Sequence, residues 1–179
     1  MASRRPPLHR TWQFFRALFA RPLAPTEWQE IKLVLTRAQQ ALFLSMSTGD
    51  QRHSLHVMRT LLARGETNPD LLTAALLHDV GKSRCRLRLW ERPIVVLIQL
   101  CRPITAHSWG AASPDGWKRP FVVYEQHPEW GAEMAAAASC TPLTTWLIRQ
   151  HQNRPEILST GQGPEVRLLQ ALQGADNAN

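Results

Sequence analysis

The sequence predicts an all-α domain, and three observations carry that expectation. Apolar residues recur at three- and four-residue spacing along most of the chain. Capping residues and prolines stand where those periodic stretches begin, and glycines stand at several of their ends. The one stretch that alternates, from residue 84, turns continuously apolar after Pro93 and lies among helices on both sides. At 179 residues and 44% hydrophobic content, the chain fits one domain with a real core, and two full domains would be cramped.

Residues 1–25 read as an N-terminal arm. They carry Arg4, Arg5, Arg10, Arg16 and Arg21 with no acid, and prolines flank the short segment TWQFFRALFAR. Arg16 interrupts the apolar run, which makes a poor secretory signal. Trp12, Phe14, Phe15, Leu18 and Phe19 among arginines offer peripheral contact with a membrane or nucleic acid, or packing back on the domain.

Residues 26–179 read as the folded domain. Thr26, with Gln29 three residues on, opens a helix whose apolar positions (Leu33, Leu35, Ala38, Ala41, Leu42, Leu44) run to about Met46. Asp50 opens the next, with Leu55, Met58, Leu61 and Leu62 on one stripe and Gly65 at its end. Asn68-Pro69-Asp70 starts a third, DLLTAALLHDVGK, which is apolar on every side and therefore central. The segment IVVLIQL after Pro93 reads as a buried helix. Residues 103–120, rich in Pro, Gly and Ser, read as the longest loop. Further helices follow over 121–138, opened around Pro128, over TPLTTWLIRQHQN, and from Pro164 to the C-terminus.

The formal charge is +7, and residues 82–119 hold eight basic residues against Glu91 and Asp115. Such a surface attracts phosphates in nucleotides, nucleic acids or anionic lipid, or simply keeps a protein soluble. No stretch approaches eighteen uncharged apolar residues, which speaks against a membrane-spanning helix. The cysteines, Cys85, Cys101 and Cys140, are odd in number and widely spaced, so neither a disulfide scaffold nor a thiolate zinc site is indicated. A cytoplasmic setting is the expectation, with a peripheral membrane contact through the arm as an addition to it.

Chemistry concentrates at His78-Asp79, where the apolar third helix stops. Burying a carboxylate and an imidazole there is costly unless something compensates. A divalent metal would, since both are standard ligands. Adjacent helical residues point about 100° apart, so the other ligands must come from other helices. His53 lies on the preceding helix, His127 and His151 on two later ones, and Asp176 on the last. Lys82 adds a cation suited to a phosphate. Glu125 and Glu129 flank His127 and could orient it or relay a proton.

The pattern His53, then His78-Asp79-Val80-Gly81-Lys82, then Asp176 resembles the HD-domain metal-dependent phosphohydrolases, in the variant written HDIG. The stretches from His127 to Met134 and from Ile148 to Asn153 are similar to those bearing extra ligands in the HD-GYP cyclic-dinucleotide phosphodiesterases. The resemblance spans roughly residues 47–177. It departs at Gln152, where that group has a second consecutive histidine, and the GYP tripeptide is missing, with Asn153-Arg-Pro-Glu-Ile in its place.

The resemblance implies a compact HD-type helical bundle. It implies that His53, His78, Asp79 and Asp176 hold one metal, with Asp79 bridging to a second completed by His127 and His151. It prefers His53 over His56 as the ligand. It implies two divalent ions, iron or manganese favoured, with magnesium, cobalt or nickel as alternatives, and Lys82 on a substrate phosphate. The expected activity is hydrolysis of a phosphomonoester or phosphodiester in a nucleotide-like small molecule, with Asp79 and Lys82 as catalytic residues. Trp117, Lys118 and Arg119 stand in a segment that reads either as a substrate-closing lid or as an ordered surface loop. Trp90, Trp109, Trp117, Trp130 and Trp146 are base-stacking surfaces or core residues. Two other functions are compatible with the fold: a di-iron, O₂-using oxygenase with an apolar pocket, and a non-catalytic regulatory module that binds nucleic acid or membrane through the arm.

Overall fold

A computed structural model describes residues 21–85, 87, 91, 98, 103–113, 116–153 and 163–179. Most of the arm, Trp90, the IVVLIQL segment apart from Ile98, and RPEILSTGQ lie outside the described residues. Eight α-helices and one 3₁₀ turn make up the described fold, with no strand among them. In chain order they are α1 (Pro25–Val34), α2 (Arg37–Ser45), α3 (Thr48–Ala63) and α4 (Pro69–Leu77), then the 3₁₀ turn (Val80–Ser83). They continue with α5 (Pro103–Gly110), α6 (Arg119–Ala137), α7 (Pro142–Gln150) and α8 (Pro164–Asp176). The all-α expectation holds. None of the described helices is long and apolar enough to cross a membrane.

Helix α4 is the hub. Every residue from Leu71 to Leu77 is buried, and α1, α2, α3, α7 and α8 all pack on it. Asn68 starts it by accepting the Leu71 N–H at 3.1 Å, and Pro69 occupies the first turn, where a missing N–H costs nothing. Its core partners include Ile31, Phe43, Leu55, Met58, Leu61, Leu147, Ile148 and Leu169, so the end of α4 is fixed by packing from five directions.

Three boundaries differ from the sequence expectation. The single helix over 26–46 is two helices, because Thr36 and Gln39 cap reciprocally: the Thr36 hydroxyl accepts the Gln39 N–H and the Gln39 side chain accepts the Thr36 N–H at 3.0 Å. Thr26 is not the first cap; α1 starts one residue earlier at Pro25, with the Glu27 carboxylate accepting the Ala24 N–H at 2.8 Å. The loop expected over 103–120 is helical from Pro103 to Gly110, where proline takes the first-turn position, and again from Arg119, where α6 begins.

The fourth difference bears on the site. Pro128 does not open a helix; it lies in the middle of α6. A proline there leaves the carbonyl four residues back, that of Tyr124, without its helical donor. His127 supplies one: its Nδ1 stands 2.8 Å from the Tyr124 oxygen and 3.0 Å from that of Val123.

Candidate metal centre

Four helices and the turn after α4 bring six side chains to one place. His78 is the residue that caps the C-terminal end of α4, and Asp79 follows it before the 3₁₀ turn. His53 comes from α3, His127 from α6, His151 from the end of α7, and Asp176 from the end of α8. Two groups form around Asp79: His53, His78 and Asp79, and Asp79, His127 and His151. In each, the ligand atoms lie within 4.8 Å of one another. Each group could hold a metal ion, and the shared carboxylate makes the pair consistent with a binuclear centre.

Asp79 divides its two oxygens between the groups. Oδ1 lies 3.3 Å from His127 Nε2 and 3.9 Å from His151 Nε2. Oδ2 lies 3.6 Å from His78 Nε2 and 2.6 Å from Lys82 Nζ. Asp176 Oδ1 lies 2.8 Å from His53 Nε2 and 3.8 Å from His78 Nε2.

The imidazoles are oriented by backbone. His78 Nδ1 is 3.0 Å from the Ala75 carbonyl, His151 Nδ1 is 2.7 Å from that of Ile148, and His127 Nδ1 sits on Tyr124. A carbonyl only accepts, so each Nδ1 carries the proton and each Nε2 keeps a lone pair aimed at Asp79. That is the tautomer a metal-binding histidine needs. The His78 Nε2 is fully buried and has no hydrogen-bond partner. A buried acceptor left unsatisfied costs roughly 1–3 kcal/mol. Convergent nitrogen lone pairs, two carboxylates and an orphaned buried nitrogen are a donor set that fits a divalent transition metal.

The electrostatics agree. Burial opposes the charge on Asp79, but Lys82, His78 and His127 outweigh it and hold the carboxyl well below its usual range. Burial pushes His127 down, despite the Asp79 carboxylate beside it. Burial, together with repulsion from His78 and His127, pushes His151 down to about 3. Both are therefore neutral and ready to ligate at neutral pH. His53 is the opposite case: burial works against its charge, and the Asp176 carboxylate outweighs that and raises it. Lys82 is raised as well, because Asp79 outweighs its burial. Its side chain remains a third exposed, so an ammonium with three donors spends one on Asp79 and keeps others for the opening.

Close packing holds the two groups together. A Cβ on Gly81 would stand 2.0 Å from the His127 carbonyl oxygen and 2.7 Å from the Gly131 nitrogen. Gly81 is thus required for the approach of the 3₁₀ turn to α6, rather than for the sharp turn expected of it, since its φ is not positive. On the far side, Gln173 of α8 donates to the carbonyls of Gln150 (3.4 Å), His151 (3.1 Å) and Asn153 (2.6 Å), and so caps the end of α7.

Gln152, marked in the sequence only as a departure, has a defined place. Its Nε2 lies 3.3 Å from His127 Nε2, and because that ring nitrogen is the acceptor, the amide donates. Beyond it a cleft of about 380 Å³ opens between α6 and α7, bordered by Tyr124, Glu125, Glu129, Arg149, Gln150, Gln152 and Asn153. Glu129 is paired with Arg149 at 2.8 Å.

The remaining sequence candidates are spread differently. Arg119 is held by Glu91, with one guanidinium nitrogen 2.7 Å from each carboxylate oxygen. Trp117 is two-thirds exposed, packs edge-on against Trp109, and carries the Lys118 ammonium 5.6 Å from its ring. Trp109 also meets Phe121, Trp130 is buried beside Arg84, and Trp146 packs on the main core, so these rings are packing residues. Cys85 and Cys140 are free thiols. No protein-family model, curated protein or solved structure matches the chain.

Proposed function

We propose that the chain is a metal-dependent phosphohydrolase of the HD type, acting on a phosphomonoester or phosphodiester of a small polar molecule. The observation that carries this reading is the convergence of the His78, His127 and His151 Nε2 atoms on Asp79, with the His78 nitrogen orphaned in the interior and Lys82 beside it at the surface. His53, His78, Asp79 and Asp176 would hold one ion, and Asp79, His127 and His151 the other, with iron or manganese favoured by the resemblance to the HD-type enzymes. Bound ions there would supply Lewis acidity toward a phosphoryl oxygen and an activated water.

The chain's own residues do the rest. The backbone carbonyls of Ala75, Tyr124 and Ile148 hold the imidazole tautomers, so no reorientation is needed when a ligand arrives. Lys82, anchored on Asp79 and still open to solvent, holds the phosphoryl group and offsets charge that builds on it. Trp117 and Lys118 are kept as candidates for contact with the substrate, Trp117 being two-thirds exposed, whereas the Arg119 charge is already taken up by Glu91. The oxygenase alternative requires an apolar chamber; the cleft next to His127 is bordered by carboxylates and amides instead.

The test is metal content of protein purified without chelator, for wild type and Asp79→Ala, followed by a phosphate-release screen. About two equivalents of iron or manganese that disappear in the variant, with phosphate release by the loaded wild type alone, is the expected result. Absence of metal after reconstitution, or full loading with no release from any phosphoester, sinks the reading.

A further inference from the structure

We infer that Asp70 is a positioning residue for the metal centre, acting from the far ends of two helices: it ties the first turns of α4 and α7 together and so sets the level at which His78 and His151 meet. This rests on the metal centre within the reading above. The two helices are built alike. Each is nine residues long, each opens on a capping side chain followed by proline, and each is followed directly by a histidine. His78 stands ten residues after Asn68, and His151 ten residues after Thr141. In both, Nδ1 meets the carbonyl three residues back, that of Ala75 or of Ile148. The two rings meet edge to face with centroids 5.1 Å apart, so the helices run side by side in the same direction.

Parallel helices bring like ends together. Partial positive charge gathers where α4 and α7 begin, and partial negative charge where they stop. The negative ends face the centre, where a cation is favoured, and the positive ends call for an anion. Asp70 is that anion. Its Oδ1 accepts the Thr141 hydroxyl, and also the hydroxyl of buried Thr144 at 2.9 Å. The Thr141 hydroxyl oxygen in turn accepts the Thr144 N–H at 3.1 Å and caps α7. Asp70 is the second residue of α4, so one carboxylate oxygen joins the first turn of one helix to the cap of the other.

From that joint each nine-residue helix carries its histidine about 13 Å, at about 1.5 Å per residue. A slip of one residue's rise at the joint, about 1.5 Å, is far beyond the roughly 0.2 Å that metal–ligand distances tolerate. The slip falls on α7, because α4 is also held by α1, α2, α3 and α8. His151 Nε2 then moves away from Asp79 Oδ1, now 3.9 Å distant, while His78 keeps its place beside His53.

Asp70→Ala, Asp70→Asn and Thr144→Val are compared with Asn68→Ala, which removes the cap of α4 and leaves the joint intact. Manganese titration of the full chain gives the affinity of each ion, and imidazole nitrogen signals of the metal-free protein report each histidine directly. Asp70→Ala should weaken the ion on the His127 and His151 side about tenfold, at the low end for a lost outer partner, and leave the His53 side within about twofold. In the same variant, free of metal, the His151 signals should shift and those of His53 should not. Asp70→Asn keeps an acceptor oxygen for both hydroxyls and should restore both readouts. Thr144→Val should move both in the direction of Asp70→Ala, by less, and carries the test should Asp70→Ala not fold. Asn68→Ala should lower the unfolding midpoint and move neither readout. An Asp70→Asn protein as impaired as Asp70→Ala, or an Asn68→Ala protein with the same His151 shift, overturns the proposal. Equal manganese binding by wild type and Asp70→Ala overturns the joint and leaves the metal centre standing. A His151 shift in a protein that binds no manganese upholds the joint and overturns the metal centre.

Discussion

The two halves of the centre use the same side-chain types and are held in opposite ways. On one side His127 and His151 are fully buried, each pinned through Nδ1 to a backbone carbonyl, and both are kept neutral. On the other, His53 and Asp176 are about a quarter and a third exposed, and each is the other's partner at 2.8 Å. The first half stands with its lone pairs free. The second is closed by an internal ion pair that a metal must open, displacing a proton from His53. The difference follows from chain placement. All four helices pack on the core, but His127 and His151 point into the interior, whereas His53 and Asp176 meet where the end of α8 leaves both side chains partly open to solvent.

The largest way to test this contrast is to remove one half at a time. His127→Ala should abolish metal binding on its side and leave about one equivalent, and His53→Ala should do the reverse, each costing more than the roughly 10–100-fold seen when only an outer partner is lost. Calorimetry in buffers of different ionisation enthalpy separates the two. The ion that remains in His127→Ala should bind with proton release, and the ion that remains in His53→Ala with little. Equal proton release from both would mean that the halves are not distinct.

Gly81→Ala comes next. A Cβ placed 2.0 Å from the His127 carbonyl forces the 3₁₀ turn and α6 apart, at a cost of about 1–3 kcal/mol as for other overpacked interiors. The separation moves His127 away from Asp79 while His53 and Asp176, on α3 and α8, are untouched. Denaturant unfolding should report the lost stability, and metal titration should report loss on the His127 side only. Stability and both metals preserved would show that the Gly81 approach is not what sets the distance.

Much of this centre is legible in the chain because its ligands carry their own signals. His78-Asp79 ends an all-apolar stretch, which marks a buried polar pair with no obvious reason to be there. Of the other ligands, His151 and Asp176 lie at helix ends, whereas His53 and His127 lie inside α3 and α6. The helix boundaries are less legible: the Thr36-x-x-Gln39 box is present in the sequence, yet the continuous stripe from Leu33 to Leu44 hides it. Pro103 and Pro128 mislead in opposite directions, one starting a helix inside an expected loop and the other lying inside a helix it was expected to open. The contacts of Gln152 and Gln173 depend on how α6, α7 and α8 meet, and nothing in local sequence encodes that.

The pH dependence of the metal-free protein should divide along the same line. His151 has a folded value near 3 against 6.5 when unfolded, so on acidification the unfolded chain takes up the proton first. Its contribution is complete above about pH 6.5 and is lost progressively toward pH 3. His53 is raised, so its contribution is complete below 6.5 and is lost as pH rises through its folded value. Unfolding curves from pH 3 to 9 should show stability falling on both sides of an intermediate optimum. His151→Leu should make the acid limb shallower and leave the alkaline limb as it is. Asp176→Asn should remove the alkaline limb and, because that carboxyl is itself held below its usual range, should also change stability at the acid end below about pH 4. An alkaline limb that survives in Asp176→Asn contradicts the assignment.

The smallest effect is expected at Pro128, and it sharpens the contrast most. In Pro128→Ala a backbone N–H returns to the Tyr124 carbonyl, the same oxygen that orients His127. An interior proline costs a helix up to about 3 kcal/mol, so the variant should be more stable than wild type. Its metal affinity on the His127 side should nevertheless fall, by about tenfold, because the imidazole then shares its anchor. Affinity on the His53 side should not change, since no proline stands there and the orienting partner is a carboxylate. Opposite signs for stability and affinity in one substitution would show that α6 gives up helix strength to aim a ligand. A gain in stability with affinity intact would mean that the Val123 carbonyl, 3.0 Å from the same nitrogen, is anchor enough by itself.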